Sequence, residues 1–343
     1  MSNAEINGVQ SASGLHQSLG MIGLAYNENP ALVASSVKQG IGSALEYVNR
    51  YPFSTEIRVM QKLALHFGYP QENVMLVRGI DECFDRVSAE FGNMRFVTAW
   101  PGFDGYRGRI KVNRLAHLEI GLDEDLSLRQ EDLEQITKND FVILANPSNP
   151  TGQALTAQQL DLLQQRAGKL LIDETYIDYA SFRGNSLAYA DDRLVFRSFS
   201  KSYGLAGLRL GVVFGPCALI AAMKQKQWFC NVGVLDLHAL EAAIESDHVR
   251  DAHIRATLHE RRRVRQALSD LGYQVLPSET NFILVKHDQV DTAVQFLARR
   301  GIQVKDAAQF GLENHIRISI GTEAENNRLF AVLADYFNTF RRT

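Results

Sequence analysis

Short runs of hydrophobic residues alternate with helical patterns along most of the chain. The runs predict six strands that are apolar on both faces, at residues 73–77, 95–99, 141–145, 169–172, 194–199 and 208–214. Strands of this kind belong to a sheet that is covered on both sides. Helical patterns lie between them at 55–66 and at 155–166, and the second pattern opens with a capping box of Thr156 and Gln159. Repeated strand–helix–strand units predict a mainly parallel α/β sheet with right-handed crossovers.

A second pattern begins after residue 245. A long, strongly charged helical stretch extends from about residue 246 to residue 272, followed by a predicted strand at 273–285, a helix at 290–300, a strand at 316–320 and a terminal helix at 323–340. This order predicts a smaller α+β unit. The 343 residues are enough for two such units, because domains of about 150 residues are common.

The composition limits the partners of the protein. The 36 lysines and arginines nearly balance the 39 acidic residues, and the net charge of −3 gives no overall field that would hold nucleic acid or an anionic membrane. Three cysteines without a Cys-x-x-Cys pair and nine scattered histidines argue against disulfides and a metal centre. The first 25 residues lack a basic start followed by an apolar run, and no apolar stretch is long enough to span a bilayer. We therefore expect a cytoplasmic protein without membrane or nucleic-acid partners.

The most informative segment is SFSKSYGLAGLRLG at residues 198–211, which follows a predicted strand. Lys201 supplies a primary amine that becomes nucleophilic toward a carbonyl if burial or nearby cations lower its pKa. The hydroxyls of Ser198 and Ser200 and the planar guanidinium of Arg209 can hydrogen-bond a dianion. The segment therefore predicts a site for a phosphate ester next to a reactive lysine.

Two further motifs follow predicted strands directly. NPSNPTG at residues 146–152 indicates a rigid turn, and DETY at 173–176 places acidic residues at the end of the next strand. Ligands of open α/β sheets collect at the carboxyl ends of the strands. A carboxylate buried there needs a charged or hydrogen-bonded partner. These turns are therefore candidate ligand contacts.

Taken together, these motifs resemble those of the fold-type I enzymes that use pyridoxal 5′-phosphate (PLP), and among them class I and II aminotransferases, most closely the histidinol-phosphate aminotransferases. The resemblance extends from about residue 27 to residue 340. It implies that Lys201 bonds covalently to PLP, that Asn149 and Tyr176 hydrogen-bond its phenolate oxygen, and that Asp173 pairs with its pyridinium nitrogen. Lys201, Asp173 and Tyr176 are then the candidate catalytic residues. Ser198, Ser200 and Arg209 bind the cofactor phosphate by the same resemblance.

Three other segments match the same family. RGIDE at residues 78–82 places Gly79, Ile80 and Asp81 around the cofactor phosphate, and WPGFDGY at 100–106 places Phe103 against the pyridine ring, where the family usually has tyrosine. An aromatic face suits that contact with or without a hydroxyl. NRYP at 49–52 matches the segment whose tyrosine, here Tyr51, reaches the phosphate of the neighbouring subunit. The resemblance thus implies a homodimer with shared sites.

Three residues are candidates for substrate binding. Arg317 matches the arginine that pairs with the substrate α-carboxylate, and Asn27 lies in the N-terminal segment that closes over the site. Lys305 stands where histidinol-phosphate aminotransferases usually have an arginine that binds the substrate phosphate. Lysine keeps the charge but lacks the planar fork of arginine. The substrate therefore stays open between histidinol phosphate and another amino acid.

The resemblance also implies the organisation and the reaction. We expect the aspartate aminotransferase-like fold, with an N-terminal segment over residues 1–40 packed on the small domain, a large PLP-binding domain over 41–245 and a small domain over 246–343. The expected reaction transfers an amino group between an L-amino acid and a 2-oxo acid. The alternative is a decarboxylase of the threonine-phosphate decarboxylase type, whose motifs overlap heavily with these. A binding module without activity is disfavoured because Lys201, Asp173 and Arg209 are all present.

Overall fold

A seven-stranded sheet forms the centre of the larger part of the molecule. The computed structural model describes residues 20–182 and 193–340. The strands, numbered along the described chain, are β1 Ile22–Gly23, β2 Val74–Val77, β3 Arg95–Ala99, β4 His117–Ile120, β5 Asp140–Ala145, β6 Lys169–Asp173, β7 Arg193–Ser198, β8 Gly211–Phe214, β9 Gln274–Val275, β10 Phe282–Lys286, β11 Ile302–Gln303, β12 Lys305–Asp306 and β13 His315–Ser319. The large sheet has the order β2-β8-β7-β6-β5-β3-β4. Only β8 runs antiparallel to its neighbours, so the prediction of a mainly parallel α/β sheet is confirmed.

Helices cover both faces of this sheet. The α-helices are α1 Ser35–Ala44, α2 Phe53–Phe67, α3 Gly79–Phe91, α4 Asp104–Val112, α5 Gln130–Leu133, α6 Ala157–Arg166, α7 Cys217–Lys224, α8 Val234–Ile244, α9 Asp247–Asp270, α10 Val290–Arg299 and α11 Glu323–Phe340. Alternate residues of β2 point to opposite faces, because successive side chains of a strand alternate. Val74 and Leu76 pack with α2 and α8, whereas Met75 and Val77 pack with α3 and α7. Both sets are buried, which is why the strand sequence is apolar throughout.

A second sheet forms the centre of the smaller part. Its four strands are antiparallel in the order β12-β13-β10-β9. Buried residues of α9, α10 and α11 pack with this sheet in one hydrophobic cluster. The N-terminal segment joins the same cluster, because β1 pairs in parallel with β11 and Leu24 is buried there. The main-chain N–H of Ser319 also donates to the carbonyl oxygen of Leu24 at 2.9 Å.

Several predicted elements differ from the observed ones. The single strand at 273–285 was wrong, because this stretch folds into β9 and β10, which pair antiparallel with Val275 opposite Val285. The strand at 208–214 begins only at Gly211, because Arg209 has a left-handed φ of +56°. The short edge strand β4, with its His-Leu-Glu-Ile sequence, was not predicted. The capping box is present, with the Gln159 main-chain N–H donating to Thr156 Oγ1 at 3.1 Å.

The division into domains at residues 40 and 245 stays a prediction. Residues 1–19 of the predicted N-terminal segment lie outside the described residues. Within residues 20–182 and 193–340, no helix combines the length and the apolar character that a membrane crossing requires.

Candidate active site

The carboxyl ends of three neighbouring parallel strands meet at one edge of the large sheet. β5 ends at Ala145, β6 at Asp173 and β7 at Ser198, and Ala145 lies opposite Asp173 in the register. A cavity opens at this edge. Ten residues predicted from the sequence line it: Gly79, Ile80, Phe103, Asn149, Asp173, Tyr176, Ser198, Ser200, Lys201 and Arg209. Motifs that are up to 130 residues apart in the chain therefore share one cavity, as Gly79 and Arg209 show.

Lys201 lies on the turn after β7, and its amine is buried. Nζ donates to the carbonyl oxygen of Tyr26 at 3.0 Å. Burial and the guanidiniums of Arg317 and Arg209 together lower the pKa of Lys201 to about 7, against the opposing effect of Glu28 and Asp173. A large fraction of this amine is therefore uncharged near neutral pH and is nucleophilic.

Asp173 is held at the opposite wall by three hydrogen bonds. Oδ2 accepts from Tyr106 Oη at 2.5 Å, and Oδ1 accepts from the main-chain N–H and the hydroxyl of Thr175 at 2.9 and 2.6 Å. Burial raises the pKa of Asp173, and the hydrogen bonds from Thr175 and Tyr106 act against that rise. This buried carboxylate is suited to pair with a cationic ring nitrogen, because the three groups that donate to it carry no positive charge.

Arg317 extends from β13 into the space beside Asn149. Its Nη1 donates to Asn149 Oδ1 at 2.6 Å, and its Nη2 donates to the carbonyl oxygen of Ala25 at 2.6 Å. Its Nε is buried and has no hydrogen-bond partner among the described residues. Burial lowers the pKa of Arg317 to about 10. A guanidinium that is buried without a carboxylate is prepared to bind an anion.

The N-terminal segment closes the site from the side of the small sheet. Asn27 Nδ2 donates to Tyr176 Oη at 3.0 Å, and Asn27 Oδ1 accepts from the hydroxyl of Ser319 at 3.0 Å. Asn27 has a positive φ of 53° and is buried. Burial raises the pKa of Tyr176, so its hydroxyl keeps its proton and can donate to a ligand.

A cradle for a phosphate lies at the start of α3. Gly79, its first residue, has a left-handed φ of +72°, and a Cβ there would lie 3.3 Å from Arg209 Nη2. The glycine therefore lets the guanidinium come close to the helix N-terminus, whose free N–H groups attract anions. Ser198 and Ser200 line the same wall. A phosphate cradle, a buried amine and a buried carboxylate in one cavity form a donor set that fits PLP.

Besides Arg317, four predicted residues lie outside the lining of this cavity. Asp81 Oδ2 lies 3.6 Å from Arg209 Nη2. Tyr51 is 70% exposed, and its ring contacts those of Phe53 and Phe229. Lys305 lies directly opposite Arg317 in the pairing of β12 with β13. The fourth, Asn27, reaches the site through Tyr176. The roles that the resemblance implies for all these residues stay predictions.

Two contacts of Asp173 were missed by the sequence interpretation. Tyr106 is three residues after Phe103 at the start of α4, so both side chains face the same side. That spacing was a usable signal, because both rings line the cavity. Thr175 follows Asp173 by two residues, a spacing at which a carboxylate commonly accepts a local main-chain N–H.

Comparison with known proteins agrees with this geometry. A sequence model described as aminotransferase class I and II matches residues 20–333. Histidinol-phosphate aminotransferase 3 of Mesorhizobium japonicum is 33% identical over 317 residues, covering 88% of this chain and 84% of the relative. The crystal structure of a proposed aminotransferase from Burkholderia pseudomallei K96243 has a TM-score of 0.91 and 65% identity, and covers 92% of this chain and 98% of that one. Histidinol-phosphate aminotransferase from Sinorhizobium meliloti, solved in complex with PLP, shares the fold with a TM-score of 0.86 and 22% identity over 95% of this chain and 94% of that one.

Proposed function

The chain belongs to the class I and II aminotransferases and is a PLP-dependent transaminase, and on this basis we propose that it transfers an amino group between an amino donor with two anionic groups and a 2-oxo acid, with Lys201 as the covalent and proton-transferring residue. The observation that carries the proposal is the buried Lys201 amine, whose pKa is lowered to about 7, in one cavity with Asp173 and Arg209, next to Arg317, which donates to Asn149 of the cavity lining.

Residues around the cavity would hold PLP at its different groups. Arg209, Ser198 and Ser200 would hold the phosphate together with the main chain at Gly79. Asp173 would hold the ring nitrogen, and the hydrogen bonds from Tyr106 and Thr175 favour its ionised form. Asn149, Tyr176 and Phe103 would contact the phenolate oxygen and the ring face. Bound PLP supplies an electron sink that labilises the bonds at the substrate Cα.

The chain's own residues would supply the proton transfer. The Lys201 amine, which is uncharged in a large fraction near neutral pH, would take a proton at Nζ from the substrate Cα. Tyr26 O accepts from Nζ at 3.0 Å, which keeps the amine at the cavity wall. Because Lys201 and Tyr176 are buried, bulk water is excluded from the proton that Nζ would take from the substrate Cα.

The pairing of two cations on adjacent strands indicates the substrate class. Arg317 and Lys305 lie directly opposite each other, so their side chains share one face of the small sheet. Burial lowers the pKa of Lys305, and Arg317 lowers it further. An anion on each cation would offset this repulsion. We therefore propose that Arg317 holds the α-carboxylate and that Lys305 holds a second carboxylate or a phosphate.

An exposed aromatic surface supports the proposed homodimer. Tyr51, Phe53 and Phe229 are 70%, 52% and 69% exposed, and each ring centroid lies within 5.9 Å of the other two. Exposed apolar patches of this kind mark protein interfaces. Replacement of Phe229 with Asp is expected to shift the protein from dimer to monomer in sedimentation, whereas Val112→Asp, an equally exposed position on α4, is not.

The reaction is tested with the PLP-loaded protein and single amino donors. Glutamate, aspartate, histidinol phosphate and leucine are added in turn, and the visible absorbance of the enzyme and the release of a 2-oxo acid, or of a ketone from histidinol phosphate, are followed. Glutamate and aspartate, which carry two carboxylates, are expected to change the absorbance. Histidinol phosphate and leucine, which carry one anionic group each, are expected to react weakly, and Lys201→Ala is expected to abolish the response. Release of carbon dioxide without a carbonyl product would contradict transamination and support decarboxylation.

A further inference from the structure

The N-terminal segment at residues 25–29, here called the strap, contacts the turn that carries Lys201 at two places. Tyr26 contributes a main-chain oxygen to the Lys201 amine at 3.0 Å. Asn29 contacts the main chain of the same turn, since its Nδ2 donates to the carbonyl oxygens of Lys201 and Ser202, both at 3.2 Å. The strap therefore touches the lysine at the tip of its side chain and at its backbone.

The chemistry of these contacts determines the orientation of the Asn29 amide. Oδ1 accepts from the main-chain N–H of Ala31 at 3.0 Å, and Nδ2 has two hydrogens for two carbonyl oxygens. Carbonyl oxygens only accept hydrogen bonds. A carboxylate of the same size would retain the contact with Ala31 but would face both carbonyl oxygens without a hydrogen to donate, and only the ring of His253, whose Nδ1 lies 3.4 Å from Asn29 Nδ2, could donate to it. The position thus needs the amide group and not only its volume.

The Lys201 turn is also held from its other side. Ser202 Oγ donates to Asp178 Oδ2 at 2.5 Å. Gly204 has a left-handed φ of +69°, and a Cβ there would lie 3.6 Å from Asn29 Nδ2, so the asparagine packs directly against the turn. The main chain at residues 201–204 is therefore fixed between Asn29 and Asp178.

We propose that Asn29 is a positioning residue for Lys201: it holds the backbone of the turn so that the amine stays at the cavity wall beside Tyr26 O. The proposal rests on the role of Lys201 in the proposed function. Lysine has a long side chain with many rotamers, so the position of its backbone decides where the amine can reach. A displacement of about 1 Å at a reacting group can cost about 100-fold in rate.

The test uses the full-length protein with Asn29→Leu and Asn29→Asp. Leucine has nearly the shape of asparagine without its donors, and aspartate retains the acceptor for Ala31. Asn113→Leu is the matched control, because Asn113 also donates from Nδ2 to a main-chain oxygen, that of Arg109, but on the exposed end of α4. For each protein we measure kcat, KM for glutamate, the rate of PLP capture by the cofactor-free form, and the thermal midpoint of that form.

Both Asn29 variants are expected to lower kcat and the rate of PLP capture by about 10- to 100-fold. KM is expected to change less than about threefold, because Arg317 is untouched, and the thermal midpoint is expected to stay within a few degrees of the wild type. The control is expected to match the wild type in all four measurements. If the variants capture PLP at the wild-type rate, or lose rate only in proportion to thermal stability, the proposal is wrong.

A failure of the proposed function gives a different result. Borohydride treatment of the wild-type PLP complex is expected to fix the cofactor on Lys201, as located by mass spectrometry. Labelling at another residue would overturn both the role of Lys201 and the positioning role of Asn29. Labelling at Lys201 together with normal Asn29 variants would overturn only the positioning role.

Discussion

Tyr106→Phe tests how the protein keeps a carboxylate charged inside a buried site. The substitution removes only the hydroxyl that donates to Asp173 Oδ2 at 2.5 Å, one of the three hydrogen bonds that this carboxylate accepts. The ring and its edge contact with Phe103, 5.1 Å between centroids, are retained. A hydrogen bond to a charged group contributes about 1.5–3 kcal/mol. The ionised form of Asp173 loses about that much, and the pKa of Asp173 rises further above its ordinary range.

The sign of the pH effect follows from the direction of this shift. Burial raises the pKa of Asp173 in the folded protein without cofactor, so the folded state binds a proton there more readily than the unfolded chain does. The contribution of this pKa difference to the free energy of unfolding is fully present below the pKa of the unfolded carboxyl. It is lost as the pH rises through the higher pKa of the folded state. Tyr106→Phe extends this loss to higher pH. The variant is therefore expected to match the wild type in acid and to fall about 2 kcal/mol below it at neutral pH.

The measurement is urea unfolding of the cofactor-free protein at steps between about pH 4 and pH 8. Thr175→Val is the matched variant, because it removes a hydroxyl donor from Oδ1 at 2.6 Å and keeps the main-chain donor. We expect the same pH dependence for both variants and PLP affinities about tenfold weaker or more. A deficit of equal size at every pH would refute the reasoning, because it would show lost packing and not lost stabilisation of a charge.

Three more predictions concern the amine, the substrate and the phosphate cradle. Capture of PLP by the cofactor-free protein is expected to become faster as the pH rises through about 7, since the pKa of Lys201 is lowered to that value; a midpoint near that of an ordinary lysine in stopped-flow absorbance would contradict the burial argument. Lys305→Ala is expected to raise KM about tenfold for donors with two anionic groups and to leave KM for leucine unchanged. Lys305→Arg is expected to leave KM for the donors with two anionic groups unchanged. Equal effects of Lys305→Ala on both donor classes would exclude the proposed contact. Gly79→Ala is expected to lower the free energy of unfolding by about 1–2 kcal/mol and to weaken PLP binding, because φ is +72° and the new Cβ lies 3.3 Å from Arg209 Nη2. The measurements are thermal unfolding and PLP titration. The control is Gly108→Ala on α4, where an added Cβ has nothing within 4 Å.

The fold could be predicted from the sequence where strands are buried on both faces. β2 is apolar throughout, and β5 and β6 carry charged residues only at their ends, because helices cover both sides of the sheet. β4 gave no such signal, because it is an edge strand of four residues with one exposed glutamate. The stretch at 273–285 was predicted as one strand because its hydrophobic residues extend on both sides of a turn. That turn is buried and polar, with Thr280 and Asn281 nearly inaccessible, so composition did not indicate a loop.

The site could be predicted where its residues follow strands in local motifs. Asp173 is the last residue of β6, Asn149 and Lys201 follow the ends of β5 and β7 within four residues, and parallel strands bring such positions to one edge. The contacts of the strap could not be predicted in this way. Asn27 meets Tyr176 across 149 residues, and Ala25 meets Arg317 across 292. No periodicity in one sequence relates positions this far apart, and a main-chain oxygen such as that of Ala25 carries no residue signature.

The balance of charge around the cavity explains why Lys201 is the group that loses its proton. After burial, the largest influence on its pKa is the guanidinium of Arg317; that of Arg209 also lowers the pKa, whereas Glu28 and Asp173 raise it. Arginine keeps its charge in proteins, so the repulsion among these cations is relieved at the lysine. The same guanidiniums are the partners of the anions that the site is proposed to bind. A phosphate at Arg209 and a carboxylate at Arg317 would offset that repulsion and raise the proton affinity of Nζ. In this arrangement the amine would be nucleophilic before the cofactor and the substrate bind, and it would be a stronger base once they are bound.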